Sequence, residues 1–172
     1  MKQSNAAFMA FLTYATFVAA AMSGGACSAV HDGMMGGNDN LETRSGYAKS
    51  RAGLDQLRDG SSTYKAGNIG PGRDGIRGGI AQISDGTDMM RSGLGAMSGD
   101  MMQRCGGSPE STLDGVTRGV KSMREGITLL DDADASNDTD GMTKIDSGAR
   151  MADDGMNAIA NAMSCMGHGP IT

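Results

Sequence analysis

Three cysteines, sixteen methionines and two histidines are the residues of this 172-residue chain whose side chains could do chemistry. They gather at a few places. His31, Met34 and Met35 lie close together, Met101, Met102 and Cys105 follow one long apolar-periodic stretch, and Met163, Cys165, Met166 and His168 close another. Thioether, thiolate and imidazole are the donors that soft copper(I) prefers. Met101, Met102, Cys105, Met163, Cys165, Met166 and His168 are therefore candidate ligands, with copper(I) the candidate metal and no other cofactor implied. The rival chemistry is simpler. Two cysteines brought together in an oxidising compartment become a disulfide, and methionine fills irregular core space where aromatic side chains are scarce. Disulfide formation and thiolate ligation by Cys105 and Cys165 exclude one another. Three outcomes stay open from sequence: a Cys105–Cys165 disulfide, a soft-metal site, or uninvolved thiols.

The compartment is read from the start of the chain. Lys2 precedes an apolar run from Ala6 to Met22, and Ser23-Gly24-Gly25-Ala26 follows it, the order of an export signal over residues 1–26. The run is long enough to cross a bilayer, but the small residues behind it favour cleavage. Cys27, directly after Gly25-Ala26, resembles the lipidated cysteine of the bacterial lipoprotein lipobox, although Gly24 stands where leucine is usual. Ordinary cleavage at Gly24-Gly25-Ala26 or at Cys27-Ser28-Ala29 is the alternative. The resemblance implies an exported protein of the bacterial cell envelope, periplasmic or on the outer surface, held to the membrane through a lipid at Cys27. Lipidation of Cys27 would also leave an even pair, Cys105 and Cys165, from an odd count.

Loss of Lys2 with the signal leaves 14 basic against 20 acidic residues, a net charge of −6. An acidic chain without basic runs is a poor partner for nucleic acid or an anionic membrane surface, so no nucleic-acid partner is expected. All three phenylalanines and Tyr14 fall in the signal, which leaves Tyr47 and Tyr64 as the aromatics of the mature chain. Stacking platforms for bases or sugars are thus nearly lacking. Nor does the sequence contain a phosphate-binding glycine-lysine loop, a Ser/His/Asp set or a Cys-x-x-Cys-His haem motif, and no enzymatic activity is expected. The acidic stretch Asp131 to Asp140 matches a calcium loop at Asp138-x-Asp140-Gly141. Its first and twelfth ligand positions would be Ser136 and Ser147, so the charged first ligand and the bidentate glutamate are missing. It reads as a solvated helix connection with Thr139 or Asp140 as N-cap.

The elements that position these groups are written in glycine. Gly46, Gly53, Gly60 and Gly67 recur at intervals of seven, as do Gly72, Gly79, Gly86 and Gly93, then Gly119 and Gly126, then Gly141, Gly148 and Gly155. Apolar residues stand one and four places after the glycines, the a and d positions of a heptad with glycine at g. Ile76, Ile80, Ile83, Met90, Leu94, Met97 and Met101 form the second such series, Leu113 to Leu130 the third and Met142 to Met166 the fourth. The first is thin, because Ser50 and Ser61 interrupt Tyr47, Leu54, Leu57 and Tyr64. Helices are expected near 42–67, 72–105, 109–131 and 140–166, joined by short connections that force antiparallel neighbours. The expected fold is all-α: an antiparallel up-down-up-down four-helix bundle over 41–168 with heptad glycine seams, preceded by a cleaved signal segment and a flexible tail, 27–40. Helical glycine costs about 1 kcal/mol relative to alanine, so close approach of backbones must offset it. The packing resembles the tight, alanine-rich helix pairs of ferritin-like bundles, without the Glu-x-x-His pairs of their di-iron sites. This topology puts the start of the first helix and the ends of the second and fourth, with their sulfur ligands, at one end.

Overall fold

A computed structural model describes residues 37–97, 99–132, 136–169 and 171. The predicted signal, the predicted lipidation site Cys27, and His31, Met34 and Met35 lie outside the described residues. The architecture is all-α, with helices α1 (Gly37–Lys65), α2 (Ile69–Ala96), α3 (Gly99–Cys105), α4 (Pro109–Asp131) and α5 (Asn137–Cys165). Their packing is that of a helical bundle. No strand occurs among the described residues.

The glycine repeat resolves into two interlocked hairpins. A methyl carbon placed on Gly46 of α1 would lie 2.5 Å from the Gly86 carbonyl oxygen of α2, and one on Gly53 would lie 2.8 Å from that of Gly79. As the first index rises by seven the second falls by seven, which makes α1 and α2 antiparallel. The same construction sets Gly119 against Gly148 at 2.5 Å and Gly126 against Gly141 at 2.6 Å, locking α4 to α5. Even alanine would push these backbones apart. The glycine penalty in helix propensity is thus offset by backbone-to-backbone contact that no other residue permits. Between the hairpins the spacing is wider: α2 meets α4, and α1 meets α5 more sparsely still.

The space between the hairpins holds the core. Ile76, Ile83, Met90, Leu94, Val116, Met123, Leu130, Ile145, Met156, Ile159 and Met163 are fully buried, and the thin first helix contributes Tyr47, Leu54, Leu57 and Tyr64. Of its two interrupting serines, Ser50 donates to the Ile83 carbonyl at 3.3 Å, whereas the buried Ser61 hydroxyl has no partner.

The ends of the helices depart from the expected boundaries in several places. Gly70-Pro71, a pair that ordinarily marks a turn, lies inside α2 and does not close the first loop. The turn is at Ala66–Asn68, with Gly67 at φ +91° as the left-handed residue that ends α1, and Pro71 sits in the first turn of α2, where its missing N–H is not needed. The expected single helix 72–105 is two helices, because Met97 is extended (ψ 156°) and α3 starts a new phase at Gly99. That break corrects the placing of Met101 in the core: Met101 is 45% exposed and Met102 is 1% exposed. α4 begins as expected, with Ser108 Oγ accepting from the Ser111 amide at 3.2 Å and Pro109 as its first residue. α5 begins earlier than expected, at Asn137, so neither Thr139 nor Asp140 caps it; Ser136 precedes the helix and Asp138 and Asp140 lie in its first turn. Carboxylates there face the positive end of the helix dipole.

Candidate functional site

The sulfur-bearing end is assembled by α3, the close of α5 and the start of α1. After Met97 the seven-residue α3 carries Met102 into the core and ends at Cys105. The turn that follows is tied inward, since the Gly106 and Gly107 amides both donate to the Met102 carbonyl, at 2.8 and 2.9 Å, and Thr112 Oγ1 donates to the Gly106 carbonyl at 2.9 Å. A methyl on Gly106 would stand 2.9 Å from the Ala162 Cβ, which is how closely this turn approaches α5. On the other side α5 ends at Cys165, where the His168 amide donates to the Met163 carbonyl at 3.1 Å and Gly167 takes φ +81°, a glycine-terminated cap. The Arg44 guanidinium of α1 donates to the His168 carbonyl, so the segment after α5 is fastened to the beginning of α1.

Cys105 and Cys165 meet at disulfide distance, with Cα atoms 5.5 Å apart and the sulfurs bonded at 2.05 Å. Around the pair the sequence-predicted ligands separate into two groups. Met102, Met163 and Met166 are buried within the hydrophobic cluster, while Met101 and Cys165 are exposed and Cys105 and His168 are half-exposed. Met101 and Met102 stand one turn before Cys105 on α3, the spacing of side chains that share a helix face. Among the described residues no three His, Cys, Asp or Glu side chains converge as a metal site. A soft-metal site here would have to draw on thioethers.

The wide seams between the hairpins carry two grooves that the glycine pattern did not announce. One, of about 580 Å³, runs between α2 and α4 past Ser84, Arg91, Lys121 and Arg124, with Arg124 donating across it to Ser84 Oγ at 2.8 Å. The other, of about 470 Å³, lies between α1 and α5 and is lined by Leu57, Arg58, Ser61, Lys65, Asp146 and Arg150 among others. Along this second seam α1 presents Arg51, Arg58 and Lys65 at heptad spacing. Arg51 pairs with Asp153 and donates to Asn157 at 3.0 Å, Arg58 reaches Asp153 at 3.2 Å, and Lys65 reaches Asp146 at 3.0 Å. The signal for the groove was present as that seven-residue recurrence of cations, but the sequence alone does not say which helix faces it. Near the same end of α1, burial raises the Tyr64 phenol above its ordinary pKa, the Asp138 carboxylate adding to the shift and Arg73, 5.9 Å from the ring centre, opposing it.

Comparison with known proteins finds no match to a family model, a curated protein or a solved structure. No described helix is long and apolar enough to cross a membrane.

Proposed function

We propose that this chain is an exported, lipid-anchored helical-bundle protein of the bacterial cell envelope with a structural or interaction role, stapled by the Cys105–Cys165 disulfide. The observation that supports this reading is the meeting of Cys105 and Cys165 at disulfide distance, because such bonds persist where the compartment is oxidising. The pairing also leaves Cys27, behind its small-residue stretch, as the odd cysteine to carry a lipid. In this reading the chain runs in an up-down-up-down course and the anchor precedes α1 by ten residues in the sequence. The chain then displays two glycine-locked hairpins whose wide seams are the accessible surface for partners. Replacing Cys27 by alanine should move the protein from the membrane fraction to the soluble fraction. An unchanged fractionation pattern would reject the anchor.

A second reading rests on the two sequence clusters, Met101, Met102 and Cys105 and Met163, Cys165, Met166 and His168, whose cysteines meet and whose Met102, Met163 and Met166 share the buried cluster. It makes the protein a soft-metal binder that uses copper(I). Titration of the purified protein with copper(I) against a competing chelator decides between the two. One tightly held equivalent, lost when Met101, Met102, Met163, Met166 and His168 are replaced, supports the metal reading; no stoichiometric copper under either reducing or oxidising conditions removes it.

A further inference from the structure

We propose that the groove between α1 and α5 binds a small oxyanion, the phosphate or carboxylate group of a soluble ligand, through Arg150, Lys65, Arg58 and the hydroxyl of Ser61. Charge supplies the first argument. The chain as a whole is acidic, at −5, yet along this seam Arg51, Arg58, Lys65 and Arg150 face two carboxylates, Asp146 and Asp153. Asp153 is shared by Arg51 and Arg58, Asp146 is taken by Lys65, and Asp55 touches Arg58 at 3.5 Å from an exposed position. Arg150 forms no ion pair or hydrogen bond among the described residues. It lines the groove with two other cations, an arrangement that repels itself and is relieved by an anion that the guanidinium fork can hold bidentately.

Ser61 supplies the second argument, independent of charge. It occupies a core position of α1, 5% exposed, in the wall of the same groove, and its hydroxyl has no partner in the protein. A buried hydroxyl without a partner is destabilising. The other serine that interrupts the core series of α1, Ser50, is used, donating to the Ile83 carbonyl, so a core serine in this helix is not simply tolerated without a bond. An oxyanion seated between Arg150 and Lys65 offers that missing acceptor. The overlying cationic side chains are long and partly exposed, so they can move aside to admit it. The groove arises from the fold itself: glycine draws each hairpin tight, and the seam left between hairpins is wide enough for a ligand.

The test is a calorimetric or NMR titration of the intact protein with inorganic phosphate and, separately, with succinate, at constant ionic strength set by chloride. The expected result is saturable binding of at least one of the two with Kd about 1 mM or tighter. Arg150→Gln should weaken it about tenfold or more and Ser61→Ala about threefold or more. Arg150→Lys, which keeps the charge but loses the fork, should fall between parent and Arg150→Gln. Which titrant saturates tells a phosphate ligand from a carboxylate one. Circular dichroism of each variant checks the fold, which neither surface substitution at Arg150 nor loss of one hydroxyl at Ser61 should disturb. Absence of saturable binding by both titrants, or either Arg150→Gln or Ser61→Ala binding as tightly as the parent, would overturn the proposal.

Discussion

Lys144 of α5 donates to the Glu125 carboxylate of α4 at 2.9 Å, and this hydrogen bond, with the attraction between the two charges, holds the Glu125 carboxyl below the usual glutamate range. A lowered folded-state pKa stabilises the fold above the unfolded value, and that contribution is lost as the pH falls through the folded value. Both side chains are nearly half exposed, so solvent and salt keep the effect small. Glu125→Gln should therefore melt about a degree or two below the parent at pH 7 and coincide with it below the glutamate range. Thermal melts of the two proteins at pH 7 and pH 3 check the sign, and a difference that grows on acidification would refute this account. Glu110 follows the same logic at the start of α4, where backbone and Ser108 hydrogen bonds lower its pKa.

At the scale of elements the controlling contact is glycine on backbone. Gly86→Leu should destabilise the protein although leucine is the better helix former, because the new side chain would be driven into the Ser50 amide and the Gly46 carbonyl of α1, an overpacking cost of about 1–3 kcal/mol or more. Gly95 is the internal control. A methyl there meets nothing within 4 Å, so Gly95→Ala should raise the melting temperature, by up to about 1 kcal/mol of stability. If Gly86→Leu melts above the parent, close approach is not what the repeat is for. The heptad glycines were legible in the sequence because close approach demands one residue type at one spacing, and so were the core positions of α4 and α5, where Leu113, Val116, Val120, Ile145 and Ile159 all fall inside. The break after Ala96 was not legible. The heptad of α2 continues through Met97 and Met101 in the sequence, and no proline marks the stop; tertiary packing of Met102 into the core overrides the local phase. The pairing of helices across the wide seams was equally hidden, since polar residues on exposed faces carry no register of their own. Hence the α1–α5 groove and its Arg150 emerge only once the helices are placed, whereas a Cys105–Cys165 disulfide was one of three outcomes the sequence left open.

For the molecule as a whole the question is what keeps two hairpins together when each is satisfied mainly by its own seam. α1 and α5 come together sparsely and α2 and α4 only moderately, so the inter-hairpin interface rests on the methionine and aliphatic core and on a few bridging ion pairs. Those pairs are largely solvent-exposed and each contributes little. The Cys105–Cys165 bond spans this weak direction: it joins the segment between the hairpins to the end of α5, across a sequence separation of 60 residues. Closing a loop of that size removes unfolded-state entropy corresponding to about 4 kcal/mol on the chain-entropy account, a large share of the stability of a domain this size. Reduction should therefore lower the denaturation midpoint strongly, with α3 and the segment after α5 the first to lose hydrogen-exchange protection, since α3 is short and its packing against α5 is slight. The glycine-locked centres of α1–α2 and α4–α5 should keep their protection longest. Thiol titration of the denatured, unreduced mature protein should find no free thiol from Cys105 or Cys165. If reduction leaves the midpoint unchanged, the bond is not the staple, and the methionine core alone must hold the hairpins together.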